Sequence, residues 1–471
     1  MKYVSNIVRF GTLSFLLVLA LLVAPLAKAA APESGNLRVG AAQVDFTSIV
    51  KAELPPTGKY QHEHIFVRAI VLDNGTTRAA IIGSDMAHLQ EGIYQPIASQ
   101  VAAELNCPKE NIIISATHTH SGGMPEGNPG PDDPWVKQYV GKVVEAVRQA
   151  KSQLQPARVG FGTGTANLNV NRDAVSPESH LWTQAPNTRA YSDKTVSVLK
   201  FVKPSGEPIA VYVNYAMHAI DGYLVGFISS DFPGAMCNYV QEAFGSKPVV
   251  VFSQSASGDQ NPLYLRPSTN LLASRSGVPI TGDDVVREPV EEPIRDKKVV
   301  AKEPDPAVRD RLEHFIDAEG AVLGEEVIRV MTLTMRTSDN VRIWGAQKTV
   351  TCPGRKRIDA GREGMGGTYA DSDPVNIRLG VLGIDNVALT TVNAEIYSRI
   401  LLHLKSETPM ANTVLVTIAN GRADSGYIPD DESYGHNTFQ VLGTRLKQGC
   451  AETSIADGIT GLVTQYTRGG K

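Results

Sequence analysis

Short runs of Ile, Val and Ala alternate with longer segments of helical spacing along most of this 471-residue chain. Strand-like runs lie at Ile65–Leu72, Arg78–Ser84, Asn111–Ala116, Thr195–Val202, Pro208–Tyr215 and Pro248–Ser253. They are rich in residues that suit a pleated, half-buried surface. Between and after them, Tyr94–Leu105, Pro134–Leu154, Pro233–Phe244, Pro306–Val330 and Ala394–Leu404 read as helices. A strand buries a face and a helix buries a stripe, so a chain that alternates the two must stack them in layers. The expected fold class is α/β (α+β), with mixed β-sheets flanked by helices.

A hydrophobic share of 42% with 20% charged residues suits a packed core rather than a disordered or fibrous chain. Lys2 and Arg9 precede an apolar run, Leu13–Ala24, and Ala27-Lys28-Ala29 follows it. This reads as a secretory signal over residues 1–29, leaving residues 30–471 as a single expected domain in a secreted or periplasmic protein. No second stretch is long enough to cross a bilayer. With 45 basic against 49 acidic residues, and basic residues lost with the signal, neither a nucleic-acid partner nor an anionic membrane surface is expected. Oligomeric state is left open. Near 282–306 the chain becomes dense in Glu, Asp, Lys, Arg and Pro, which marks an exposed charged insertion. Of the four cysteines, Cys352 and Cys450 are the expected disulfide pair, while Cys107 and Cys237 read as small buried apolar residues.

Three strand-like runs end in residues able to do chemistry. Asn111–Ala116 leads into Thr117-His118-Thr119-His120-Ser121-Gly122-Gly123. In an extended chain His118 and His120 share a face, and neutral imidazoles are good zinc ligands. Pro208–Tyr215 leads into His218, which alone reads as a packed histidine. Pro248–Ser253 leads into Ser257-Gly258-Asp259-Gln260-Asn261-Pro262, a turn suited to approaching a ligand.

Taken together these segments resemble the neutral/alkaline non-lysosomal ceramidase family in its N-terminal catalytic domain. Thr117–Gly122 is similar to its T-H-T-H-S-G motif, and Val39–Thr47 to its opening G-x-A-x-x-D-x-T strand. His62–Ala69 resembles its H-D-x-L-Y-A-R-A segment, and Asn171-Arg172 its N-R pair. Ser230–Gly234, Val392–Glu395 and Gly426–Pro429 resemble its S-x-D-x-P-G, small-residue-Glu and G-Y-[LI]-P motifs. Carried over by position, the resemblance implies Zn²⁺ held by His118, His218, Glu395 and Tyr427, with His120 and Arg172 beside the metal and the substrate oxygen. Two imidazoles, a carboxylate and a phenolate make a sound nitrogen–oxygen set for zinc.

One position departs from the family. Where it carries G-D-x-S-P, this chain reads Gly258-Asp259-Gln260-Asn261-Pro262, and an amide is no nucleophile. The expectation is therefore a zinc-activated water with no covalent serine. Asn261 would donate to substrate, and Asp259 would orient a ligand histidine, with Asp85 as another acceptor of that kind. About 44 residues follow Tyr427, too few for the family's immunoglobulin-like C-terminal domain. The leading function is hydrolysis of an amide (N-acyl) bond in a small-molecule or lipid substrate. An ester, lactone or glycosidic bond in a polar substrate is the alternative, and a non-catalytic binding protein the third reading.

Overall fold

Alternate residues of the strand Ile112–Ala116 serve two different cores. Ile112 and Ile114 face a helical layer, while Ile113 faces the centre of the molecule. That division follows from the two-residue period of a strand, and the whole fold repeats it. The computed structural model describes residues 33–123, 129–280, 288–333 and 335–468. The expected signal segment lies outside them.

Among the described residues there are three five-stranded sheets. The first holds Arg38–Asp45, Phe66–Asp73 and Arg78–Ser84 in antiparallel order, with Ile112–Ala116 parallel on its edge. The second runs antiparallel through Arg158–Thr165, Thr195–Val202 and Pro208–Tyr215, then adds Val249–Gln254 in parallel. The third is built on a long hairpin, Asn340–Arg357 with Tyr369–Ile384, continued by Val387–Val392 and its parallel neighbour Thr413–Val416. Each sheet thus finishes in one parallel pair, and the crossover in each contains a helix: Glu91–Leu105, Asp231–Ala243 and Ser398–Glu407.

The inner faces of all three sheets meet in one apolar core containing Ile70, Ile113, Phe201, Val251, Leu382 and Val414. Contact there is close. A Cβ on Gly83 would come within 2.8 Å of Val251 and 3.0 Å of a backbone oxygen of Phe252, so the glycine lets the first sheet lie against the second. Each outer face carries its own helices. Glu91–Leu105 and Pro134–Ser152 cover the first, Asp231–Ala243 and Pro306–Thr332 the second, Ser398–Glu407 and Ala451–Arg468 the third. The layered α/β class stated from sequence is the observed one. Among the described residues no helix is long and apolar enough to cross a membrane.

Two differences from the sequence reading affect the site. Ala394–Leu404 is not one helix. Glu395–Ile396 is a short strand paired in parallel with Tyr427–Ile428, and the helix begins only at Ser398. Apolar periodicity could not register a two-residue strand whose partner lies about thirty positions later. The long hairpin, which carries a β-bulge near Cys352, is also absent from the sequence reading. Its outer portion alternates poorly in hydrophobicity because it leaves the core. Cys352 is disulfide-bonded to Cys450, fastening the hairpin to the start of the last helix. Cys237 is buried and Cys107 half-buried, both as free thiols. Within the charged insertion, Glu288–Arg295 is a helix.

Candidate metal centre and its cavity

Brought to one end of the three parallel pairs, the strand termini deliver the predicted donors. Chain leaving Ile112–Ala116 reaches His118, and chain leaving Pro208–Tyr215 reaches His218. Glu395 follows Val387–Val392 directly, and Tyr427 follows Thr413–Val416. Carboxyl ends of parallel strands are where open α/β sheets place ligands, since successive loops diverge there and leave a crevice.

Backbone bonds tie these termini together across the sheets. His120 N–H donates to Ala219 at 3.0 Å, Thr417 N–H to Gln254 at 2.9 Å, and Ile418 N–H to Ala394 at 3.2 Å. His118 has φ +71°, the left-handed region that a β-branched or imidazole side chain adopts at some cost. Its N–H donates to Met86 and its ring Nδ1–H to the Ala87 carbonyl at 2.6 Å, which holds it there. The two histidines do converge, with ring centroids 4.8 Å apart, but through this turn rather than through strand alternation. The strand has already ended at Ala116.

His118 Nε2 and His218 Nε2 each lie 3.2 Å from the same oxygen, Oε2 of Glu395. Tyr427 Oη is 3.4 Å from His218 Nε2. One ring nitrogen from each of His118, His120 and His218 lies within 4.8 Å of the other two. His218 Nδ1 faces the Gln260 carbonyl at 3.0 Å. Both Nδ1 atoms thus face groups that only accept, so both must carry hydrogen. In the neutral rings each Nε2 then presents a lone pair to a carboxylate. Acceptors converging in this way need a cation or a proton between them. The residues present therefore fit a bound metal.

Electrostatics point the same way. Burial pushes His218 down to about 3, and the Arg172 charge adds to this. Burial and the two neighbouring imidazoles hold His120 well below the usual range. For Glu395, burial raises the pKa, but the contacts with His118 and His218 outweigh it and hold the carboxyl well below its ordinary value. Burial followed by the Glu395 charge pushes the Tyr427 phenol up, so its ionisation needs a nearby cation. His120 Nε2 is buried with no hydrogen-bond partner among the described residues.

Arg172 is 2% exposed, so it is no surface ion pair. It donates to the Gly258 carbonyl at 2.6 Å and to Asn261 Oδ1 at 3.1 Å, and its guanidinium lies 5.5 Å and 5.1 Å from the ring centres of Tyr427 and Phe439. Asn261, with Oδ1 engaged by Arg172, turns its NH₂ group the other way and lines the cavity. Asp259 does not touch a ligand histidine. Its carboxylate accepts from Ser398 N–H at 2.8 Å, Ser398 Oγ at 2.7 Å and Asn171 Nδ2 at 2.9 Å, and burial pushes it up to about 7. Asp259 thereby fastens its turn to the chain just beyond Glu395, while backbone carbonyls take the orienting role expected of it. Asp85 likewise is committed elsewhere, in a buried ion pair with Arg68 at 2.7 Å.

His120, His218 and Tyr427 face a cavity of about 350 Å³. Its wall includes Tyr223, Gln184, Phe439, Glu363, Glu291 and Arg295, none of which the motifs mark. Only the charge density of the insertion could have drawn attention to Glu291 and Arg295. Among the described residues no serine lines it, and Ser257 is fully buried.

Residues 42–271 match the model for the neutral/alkaline non-lysosomal ceramidase family, N-terminal. This stretch belongs to that family. It includes His118, His120, Arg172, His218, Asp259 and Asn261, whereas Glu395 and Tyr427 lie beyond it. The chain is 25% identical over 230 residues to the neutral ceramidase of Pseudomonas aeruginosa, covering 44% of this chain and 33% of that one. It is 24% identical over 274 residues to the neutral ceramidase of Drosophila melanogaster, covering 50% and 38%. It thus matches between 33% and 38% of the length of these ceramidases. The crystal structure of the neutral ceramidase from Pseudomonas aeruginosa superposes with a TM-score of 0.63 at 15% identity, over 92% of this chain and 75% of that one. A ceramidase complexed with C2 gives 0.64, again at 15% identity, over 92% and 76%. The ceramidase fold therefore extends past the matched segment to take in Glu395 and Tyr427.

Proposed function

We propose that this chain is an exported zinc-dependent hydrolase that cleaves an amide (N-acyl) bond. The observation that carries the reading is the meeting of two imidazole Nε2 atoms on one Glu395 oxygen, at 3.2 Å each, beside Tyr427 and at the floor of a cavity. Membership of residues 42–271 in the ceramidase family supports the amide as the bond. Export is supported by the signal-like residues 1–29 and by the Cys352–Cys450 disulfide, since such bonds persist in oxidising compartments.

His118, His218, Glu395 and Tyr427 would hold the ion. Zn²⁺ in such a set supplies Lewis acidity and a water that ionises near neutral pH. The rest of the chemistry falls to side chains. Arg172, buried and hydrogen-bonded to the neutral Gly258 carbonyl and Asn261 amide, offers positive charge to an oxyanion developing on the substrate carbonyl. Asn261 donates through Nδ2 to the same substrate. His120 is neutral and its Nε2 is uncommitted, so it takes up a proton as water attacks and returns it to the leaving nitrogen. Among the described residues no serine lines the cavity, and attack by water needs no covalent intermediate.

The presence of Asn261 where the family carries serine favours a second reading with the same metal: an ester, lactone or glycosidic linkage. Metal analysis of the purified chain, together with amine release from a fluorogenic N-acyl sphingoid and from matched esters, tests both. One equivalent of zinc and amide cleavage are expected. Zinc with ester cleavage alone would replace the first reading by the second, and a metal-free chain would overturn both.

A further inference from the structure

Each of the two histidines that reach the Glu395 oxygen follows a peptide plane held at both ends. The carbonyl of one residue and the N–H of the next lie in one plane, so they turn together. At the first such plane the His118 N–H donates to the Met86 carbonyl at 2.9 Å. At the second the His218 N–H donates to the Gln260 carbonyl at 3.1 Å. The opposite ends of both planes, the carbonyls of Thr117 and Met217, are taken by a single side chain. Gln254 Nε2 donates to Thr117 at 3.0 Å and to Met217 at 2.7 Å.

Gln254 is the last residue of Val249–Gln254 and is wholly buried. Its Oε1 accepts from the Met217 N–H at 3.3 Å, so the amide uses both hydrogens and its oxygen. Its backbone carbonyl accepts from the Thr417 N–H at 2.9 Å, just beyond the strand Thr413–Val416. One residue therefore joins the chain entering His118, the chain entering His218 and the parallel edge of the third sheet. The restraint matters most at His118, because the orientation of the Thr117–His118 plane sets its φ of +71°. A residue other than glycine leaves that region when the plane is freed. Glutamate at 254 would set an oxygen against two carbonyl oxygens. Methionine would leave both carbonyls and the Met217 N–H buried without that partner.

We infer that Gln254 is a positioning residue for the metal, holding the His118 and His218 imidazoles in their binding geometry before the ion arrives. The inference rests on the metal-centre reading. Without the clamp the donors remain, but the ion must order them as it binds, and its affinity falls. Zinc affinity of the full chain is measured by competition with a chelator, where circular dichroism shows the metal-free chain to be folded. Gln254→Met and the isosteric Gln254→Glu should each weaken zinc about 10- to 100-fold. Asn214→Ala is the control for a purely structural role. Asn214 is also buried, and its Nδ2 donates to Ser253 Oγ and the Leu415 carbonyl at 3.0 Å each, on strands rather than on the histidine-bearing turns. This variant should lose stability without losing zinc affinity. A loss below about tenfold in both Gln254 variants overturns the inference, as does an equal loss in Asn214→Ala. Failure of both Gln254 variants to fold assigns the glutamine to folding alone and overturns it too. A parent chain that binds no zinc removes the metal-centre reading itself, whereas zinc held equally by parent and variants removes only the role of Gln254.

Discussion

The floor and the rim of the cavity are built by opposite means. The floor hangs from the ends of strands whose backbones are bonded across three sheets, and His118, His218, Arg172 and Glu395 are almost wholly buried. The rim is carried by a charged insertion and a hairpin loop, with Arg295 exposed and Glu291 half-buried. A metal centre needs donors held to within a fraction of an ångström, which strand ends provide. Selection among substrates needs only a few groups at the mouth, and elements outside the core can vary there without disturbing the layers behind them.

The sharpest way to break this contrast is to remove a floor donor. Glu395→Ala should abolish stoichiometric zinc and lower kcat/KM by at least about 10³-fold, measured by metal analysis and substrate turnover. A variant that kept both would show that the four donors do not act as one centre. Beneath the floor, Arg68→Met leaves the Asp85 carboxylate buried and unpaired. A loss of about 3–5 kcal/mol in denaturant unfolding is expected, and a loss under 1 kcal/mol would show that the platform is not as tightly built as the pairing implies. Asn261 stands between floor and rim. Asn261→Ala should reduce kcat/KM about tenfold through one lost hydrogen bond, and full retained activity on the native substrate would remove Asn261 from the mechanism.

The smallest effect concerns the helix Pro306–Thr332, which follows the insertion. Burial pushes Glu313 up to about 7, with Arg309 opposing and Glu63 reinforcing the shift. Its unfolded value is near 4.5, so the folded state holds the proton more tightly. The stability it contributes is present below about pH 4.5 and is lost as pH rises through about 7. Unfolding measured between these limits should show a decline that Glu313→Gln abolishes. If the decline persists in that variant, its source lies elsewhere.

Much of the scaffold was legible before any coordinates. Arg78–Ser84, Thr195–Val202 and Pro208–Tyr215 appear with the boundaries their apolar runs indicate. Pro134 opens its helix in both readings because proline suits a first turn, and Asp133 caps it. The pairing of Glu395 with Tyr427 was not legible. Two-residue strands carry no period, and each of these exists only because the other lies beside it. Asp259 was misassigned for a related reason: a carboxylate in a turn next to a ligand histidine looks like its orienting partner, yet backbone carbonyls already fill that role. Similarly, charge marked 282–306 as an insertion, but nothing local could say that Glu291 and Arg295 would look into the cavity.

The family resemblance implies the candidate donors, and layer type and most strand and helix positions follow from local composition and periodicity, because those depend on near neighbours along the chain. The convergence of His118 and Glu395, 277 positions apart, on one point does not. It depends on three sheets packing their inner faces together so that their parallel edges end at the same place. The size and polarity of the cavity are set later still, by where an insertion and a hairpin loop come to rest against that edge. Such long-range packing is a property of the whole molecule, and no window of sequence contains it.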